Sequence, residues 1–212
     1  MLGKSDTSWF TAGVILALAT GLIVVMICGA REGGISVATR SVARLAFVFF
    51  WLTYAGGALA TIFGSLLAGL ARYRRQLGLA FAGALLVHLS LVAWLFRVSA
   101  RQPISSVGIV YFGLGALGTF ALAISSWQRL RALWESRLWR IFSVIVLEYV
   151  AFLFFRDFVL LPLQFRVVHP SEYLPFASLI IMGAVLRWLA GVRRLARAGF
   201  SPRAFAEIRF WR

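Results

Sequence analysis

The chain has 212 residues, 61% of them hydrophobic and 14% charged, with a formal net charge of +15. The apolar residues fall in long runs that each fit a span of about 20 residues, which excludes a soluble enzyme and predicts an integral membrane protein. In a soluble chain this charge would point to nucleic acid, but the arginines lie between apolar runs, so no nucleic-acid partner is expected.

Six spans are predicted in order: Trp9–Gly29, Leu45–Leu70, Leu77–Phe96, Val107–Ser126, Ile141–Leu161 and Leu174–Leu195. The fold class is therefore an all-α membrane protein, a six-helix bundle in one domain over residues 1–199. The first run lacks a strongly basic segment before it and is as long as a full span, so it reads as a retained helix. It carries Gly13, Ala17 and Gly21 at four-residue spacing, and the second carries Ala60, Gly64 and Ala68, faces that allow close helix approach. The fourth span holds Gly108, Gly113, Gly115 and Gly118, which again predicts tight contacts. Residues 200–212 form a separate tail. Pro202 suits a helix start, and Phe205, Ile208 and Trp211 recur among Arg203, Arg209 and Arg212, as in a short amphipathic interfacial helix. Trp9, Tyr73, Trp94, Trp127 and Trp139 near span ends read as interfacial anchors.

Charge sets the orientation. One side carries Lys4, Arg72, Arg74, Arg75, Arg129, Arg131, Arg137, Arg140, Arg193, Arg194, Arg197, Arg203, Arg209 and Arg212. The other carries half as many: Arg31, Arg40, Arg44, Arg97, Arg101, Arg156 and Arg166. The positive-inside rule then makes both termini cytoplasmic and lets the cytoplasmic cations hold anionic headgroups. Cys28 is alone, which excludes an internal disulfide and a thiolate metal cluster. No glycine-rich dinucleotide fingerprint is present, so neither a flavin nor an NAD site is expected.

Few residues offer chemistry within the spans. His88 lies about eleven residues into the third span, about 16 Å deep, where an imidazole is expensive and marks a function. Ala80 and Ala84 precede it at four-residue spacing and leave a shallow face, suited to a porphyrin edge or to a neighbouring helix. Glu148 in the fifth span is a carboxylate within a span, which is rare, and is a candidate hydrogen-bond or ion-pair partner for His88. Tyr149, an arginine or a backbone group would serve Glu148 equally. Arg156 and Asp157 read as a local interfacial pair, His169 as a loop surface residue, and Met182 as at most a weak axial ligand.

Several landmarks appear in order between Arg40 and Arg194: Arg74-Arg75, Leu77-Gly78-Leu79 and His88; Pro103 before Val107-Gly108; Ser125-Ser126; Trp139-Arg140; and Arg187. In this the chain resembles the ferric-reductase-like transmembrane family, which includes the haem subunit of the periplasmic methionine sulfoxide reductase system. The resemblance implies a six-span bundle in a bacterial inner membrane, b-type haem between helices, and transmembrane electron transfer. It makes His88 the cofactor-binding residue and the ligand to haem iron or another tetrapyrrole metal. The family places a histidine shortly after Trp139-Arg140; here Ser143 takes that place, and a second ligand position near Arg156 or Asp157 is also without histidine. Two readings follow. One is a non-catalytic relative, a scaffold or accessory subunit of a redox or photosynthetic membrane complex, with membrane lipids and another membrane subunit as partners. The other is a single-haem cytochrome on His88, taking electrons from a quinol or a separate donor.

Overall fold

The computed structural model describes residues 4–100, 104–126, 136–164 and 172–197. The described residues are helical apart from short turns, without strand. Helix α1 covers Lys4–Cys28, α2 Glu32–Phe63, α3 Ala68–Arg72, α4 Arg74–Val98, α5 Ser106–Ser125, α6 Arg137–Phe155, α7 Leu161–Gln164 and α8 Leu174–Arg197. Among the described residues, five stretches are long and apolar enough to cross a membrane: those beginning at Thr7, Glu32, Arg74, Ser106 and Leu174. The predicted spans over α1, α4, α5 and α8 match to within a turn or so. His169, Trp127 and the predicted tail helix at 200–212 lie outside the described residues.

Two expectations change. The second span was expected over Leu45–Leu70, but α2 starts at Glu32, where Arg40 and Arg44 end the apolar run without ending the helix. Ile35, Ala38, Thr39, Val42 and Ala46 are buried while Arg40 is exposed, so helical periodicity carries the element through its charged stretch. At its other end, α2 stops at Gly64, whose φ of 65° terminates the helix in the left-handed region that glycine favours. Gly64 is therefore a terminator and not part of a packing face; nothing lies within 4 Å of a Cβ built there. A 3-10 turn over Gly64–Leu67 follows, and α3 folds back so that Leu70 Cβ comes within 3.4 Å of a Cβ built on Gly56.

The predicted fifth span, Ile141–Leu161, is also not one regular helix and is not among those five stretches. A π turn over Arg156–Leu160 follows α6, with the Leu161 N–H donating to the Arg156 carbonyl. Pro162 has no N–H to give to the Phe158 carbonyl four residues earlier, and the widened turn takes up that missing bond.

The chain divides into two compact units. The first comprises Met1–Phe50 and Arg75–Leu153. In it α2 and α4 run antiparallel, with the Phe50 and Phe81 rings 5.4 Å apart. Helix α1 runs parallel to α4: Gly13 meets Ala80, and Gly21 faces Leu91. The α1–α4 crossing is a backbone-to-backbone contact. A Cβ on Gly13 would collide with the Ala80 carbonyl, and one on Gly83 with the Phe10 carbonyl. The small face predicted on α1 is thus used for packing, as expected where lipid supplies no hydrophobic driving force between helices. Helices α5 and α6 are antiparallel, Gly115 lying against Leu153 and Tyr149 and Gly118 against Val146. Ser105 caps α5, its Oγ accepting from the Gly108 N–H at 3.1 Å.

The second unit comprises Trp51–Arg74 and Phe154–Arg212. In it the second half of α2 runs parallel to α8. The Trp51 indole N–H donates to the Leu179 carbonyl at 2.6 Å, and Gly183 leaves room for that indole. Phe158 stacks between Phe154 and Phe176, at centroid distances of 6.0 and 5.1 Å, which anchors the π turn against the start of α8.

Candidate functional site

His88 sits on α4, two turns beyond Ala80, and is half-buried. Its Nδ1 lies 3.2 Å from the Thr39 carbonyl oxygen on α2. A carbonyl oxygen only accepts, so Nδ1 carries the proton, and in the neutral imidazole Nε2 carries the lone pair. Thr39 is itself buried, and its hydroxyl donates back to the Ile35 carbonyl at 2.8 Å. The backbone carbonyl of Thr39 is thus the partner that His88 takes. Sequence reasoning anticipated a carbonyl as one option but had no signal for which one, because backbone groups carry no residue-type mark.

The shallow face preceding His88 is occupied. Ala80 and Gly83 are in backbone contact with Gly13 and Phe10 of α1, and Ala80, Gly83 and Ala84 are all buried. Gly21 continues the α1 contact past His88: a Cβ built there would lie 3.4 Å from the Leu91 side chain and 3.6 Å from Val42. Of the two occupants that this face suits, the neighbouring helix is the one seen.

Glu148, the candidate partner for His88, stands on α6. It lies on an exposed face of α6 together with Ile141, Ile145 and Phe152, positions that recur at helical spacing. Its neighbour Tyr149 turns the other way and donates from its hydroxyl to the Tyr111 carbonyl at 3.1 Å. Ser143, where the resembled family has histidine, donates to the Trp139 carbonyl one turn back in its own helix at 2.9 Å. Met182 is exposed on α8. Among the described residues, no group of three or more His, Cys, Asp or Glu side chains is arranged to hold a metal ion. In the π turn, Asp157 Oδ1 is buried and accepts no hydrogen bond.

Sequence reasoning missed a second polar constellation, in the other unit. Arg74, Arg187, Arg193 and Arg194 all reach α2. Arg74 Nε donates to the Thr53 carbonyl at 2.9 Å, and Arg187 donates to the Tyr54 carbonyl at 3.2 Å. The Arg187 guanidinium also lies 4.2 Å from the Tyr54 ring centroid. Arg193 donates to the Ile62 carbonyl at 3.0 Å and Arg194 to the Thr61 hydroxyl at 2.9 Å. The signal was present in Thr53, Gly57 and Thr61, a polar and small stripe at four-residue spacing. It was also present in Arg187, the one arginine that falls within a span and on neither side of the charge count.

The residues present do not fit a haem held between two histidines. His88 is the only histidine among the described residues, Ser143 is engaged with its own helix, and α1 fills the small face beside Ala80. No family model, no curated protein and no solved structure matches the chain.

Proposed function

We propose that this chain is a haem-free, ferric-reductase-like six-span protein of a bacterial inner membrane, acting as a scaffold or accessory subunit of a larger membrane complex. The observation that carries this reading is the packing of the α1 backbone at Gly13 and Phe10 onto Ala80 and Gly83. That contact takes the face a porphyrin edge would need. His88 then serves as a polar staple between α4 and α2 through the Thr39 carbonyl. An interhelical hydrogen bond of this kind contributes about 0.5–1.5 kcal/mol and fixes helix register in an apolar surround.

Six alternating crossings agree with the helix directions inside each unit: α2 against α4 and α5 against α6 antiparallel, α1 with α4 and α2 with α8 parallel. Both termini then lie in the cytoplasm.

One observation favours a second reading. The Thr39 bond fixes the His88 tautomer with Nε2 as the lone-pair nitrogen, the arrangement in which an imidazole ligates a metal. A single tetrapyrrole with one protein ligand would suit it.

A visible absorption spectrum separates the two. The protein is purified in detergent from haem-replete cells and recorded oxidised and dithionite-reduced. The expected result is no Soret band. A Soret band with reduced α and β bands, lost in His88→Ala, overturns the haem-free reading. A long-wavelength band without haem features overturns it in favour of a chlorophyll-type pigment.

A further inference from the structure

The corner between α2 and α4 is apolar where a connection between spans is ordinarily polar. From Leu45 to Ala71 the sequence carries no charged residue. As one straight helix that run would measure about 40 Å, against about 30 Å for the hydrocarbon core of a bilayer. The stretch from Leu45 to Phe63 already covers about 28 Å. The remainder is turned aside. Helix α2 ends at Gly64, the 3-10 turn follows over Gly64–Leu67, and α3 folds back over Ala68–Arg72. Leu70 holds the return by lying against Gly56. Leu66 and Phe63 point outward instead, their side chains 82% and 53% exposed.

The parallel helix α8 gives the depth of this corner. The Arg193 guanidinium donates to the carbonyl of Ile62, the residue before Phe63, and α8 ends one turn after Arg193, at Arg197. The stretch of α8 that is long and apolar enough to cross a membrane closes at Ala196. In a chain that crosses the membrane, Phe63 and Leu66 then stand where two helices leave the hydrocarbon core. In water, two large apolar side chains exposed on one turn are unfavourable. At the level of the headgroups they reach the acyl chains. The sequence changes character directly after the corner: Ala71 is followed by Arg72 and Tyr73, both exposed. Arg193, beside Ile62, is exposed as well. An apolar tip flanked by guanidiniums and a phenol is the composition of an interfacial element, with the apolar side chains below the headgroups and the polar ends among them.

We propose that the corner between α2 and α4 is a lipid-binding surface: Phe63 and Leu66 insert into the acyl-chain boundary of the leaflet at that end of α2. The inference rests on the chain crossing the membrane and not on the state of His88.

The test places one cysteine at a time in the full-length Cys28→Ser protein, labels it with an environment-sensitive fluorophore and reconstitutes it in vesicles of phosphatidylcholine and phosphatidylglycerol. Quenching is compared between a lipid nitroxide near the headgroup, a lipid nitroxide near the end of the acyl chain, and iodide in water. The label on Leu66→Cys is expected to emit to the blue of the label on Arg72→Cys. It should lose more intensity to the shallow nitroxide than to the deep one or to iodide. Phe63→Cys should behave alike, and it carries the test if Leu66→Cys fails to fold. Leu117→Cys, on the exposed face of α5, reports separately on the crossing itself. Its label should be quenched by lipid nitroxide and not by iodide; the reverse would strike the membrane-spanning reading and the lipid-binding corner with it. With Leu117→Cys quenched by lipid, iodide quenching of Leu66→Cys and Phe63→Cys as strong as that of Arg72→Cys would overturn the inference and place the corner in water. Protection of both labels from iodide and from nitroxide lipid would also overturn it, and would assign the surface to contact with a second protein chain.

Discussion

The α1–α4 crossing gives a direct test of the packing on which the haem-free reading depends. In Gly13→Ala the added methyl carbon would stand 2.8 Å from the Ala80 Cα and closer still to its carbonyl oxygen, where ordinary contact begins at 3.4 Å. The obstruction is backbone, so no rotamer change relieves it, and α1 has to shift by about half an ångström or more along the whole crossing. Such overpacking costs about 1–3 kcal/mol. Gly113→Ala on α5 is the matched control. Nothing lies within 4 Å of a Cβ there, so the substitution should be neutral or gain up to about 1 kcal/mol from helix propensity. The assay is equilibrium unfolding in mixed micelles followed by far-UV circular dichroism. If Gly13→Ala proves as stable as Gly113→Ala, the helices are not in backbone contact and the face beside His88 is open after all.

Two further outcomes are expected. Trp51→Phe should lower unfolding free energy by about 0.5–1.5 kcal/mol through loss of the indole bond to the Leu179 carbonyl, measured in the same micelles; an unchanged midpoint would show that this bond does not tie α2 to α8. Cys28 is exposed at the end of α1 and is the single cysteine, so with a cytoplasmic N-terminus it should react with a membrane-impermeant maleimide in right-side-out spheroplasts. Protection until lysis would reverse the proposed orientation.

The parts of this molecule that hydropathy and small-residue spacing encode were legible beforehand. Helix α4 and the Gly13–Ala17–Gly21 face follow from residue type at a fixed period, and the structure places them as those periods require. What escaped was governed by backbone chemistry. A hydropathy window stopped at Arg44 because it averages composition, while the helix continued because its buried stripe did. Gly64 has the residue type of a packing face and the spacing of one, but its left-handed φ makes it an ending. The π turn follows from a missing N–H at Pro162, a signal felt several residues before the proline itself. At the candidate site, His88 and Glu148 were identifiable as costly groups in a span, but Thr39 was not, since any residue supplies a carbonyl. Arg74, Arg193 and Arg194 were read as orientation signals, and Arg187 only as a landmark, because charge counting treats each cation by its side of the membrane and ignores what it reaches.

The connection between α1 and α2 has a consequence for how this protein is made. Only Gly29, Ala30 and Arg31 separate the two helices, Gly29 turns with a φ of 84°, and Gly34 sits so close to the Cys28 and Gly29 carbonyls that a side chain there would collide with them. A linker this short gives the second helix no freedom to wait in another orientation once the first has crossed. In the proposed orientation the pair would enter the bilayer as one hairpin, carrying Arg31 across with it, with the apolar α1 as the driving force for a partner whose first turns are charged. Assembly then starts from a preformed two-helix unit, and lengthening this connection by a few flexible residues would uncouple insertion of α2 from that of α1.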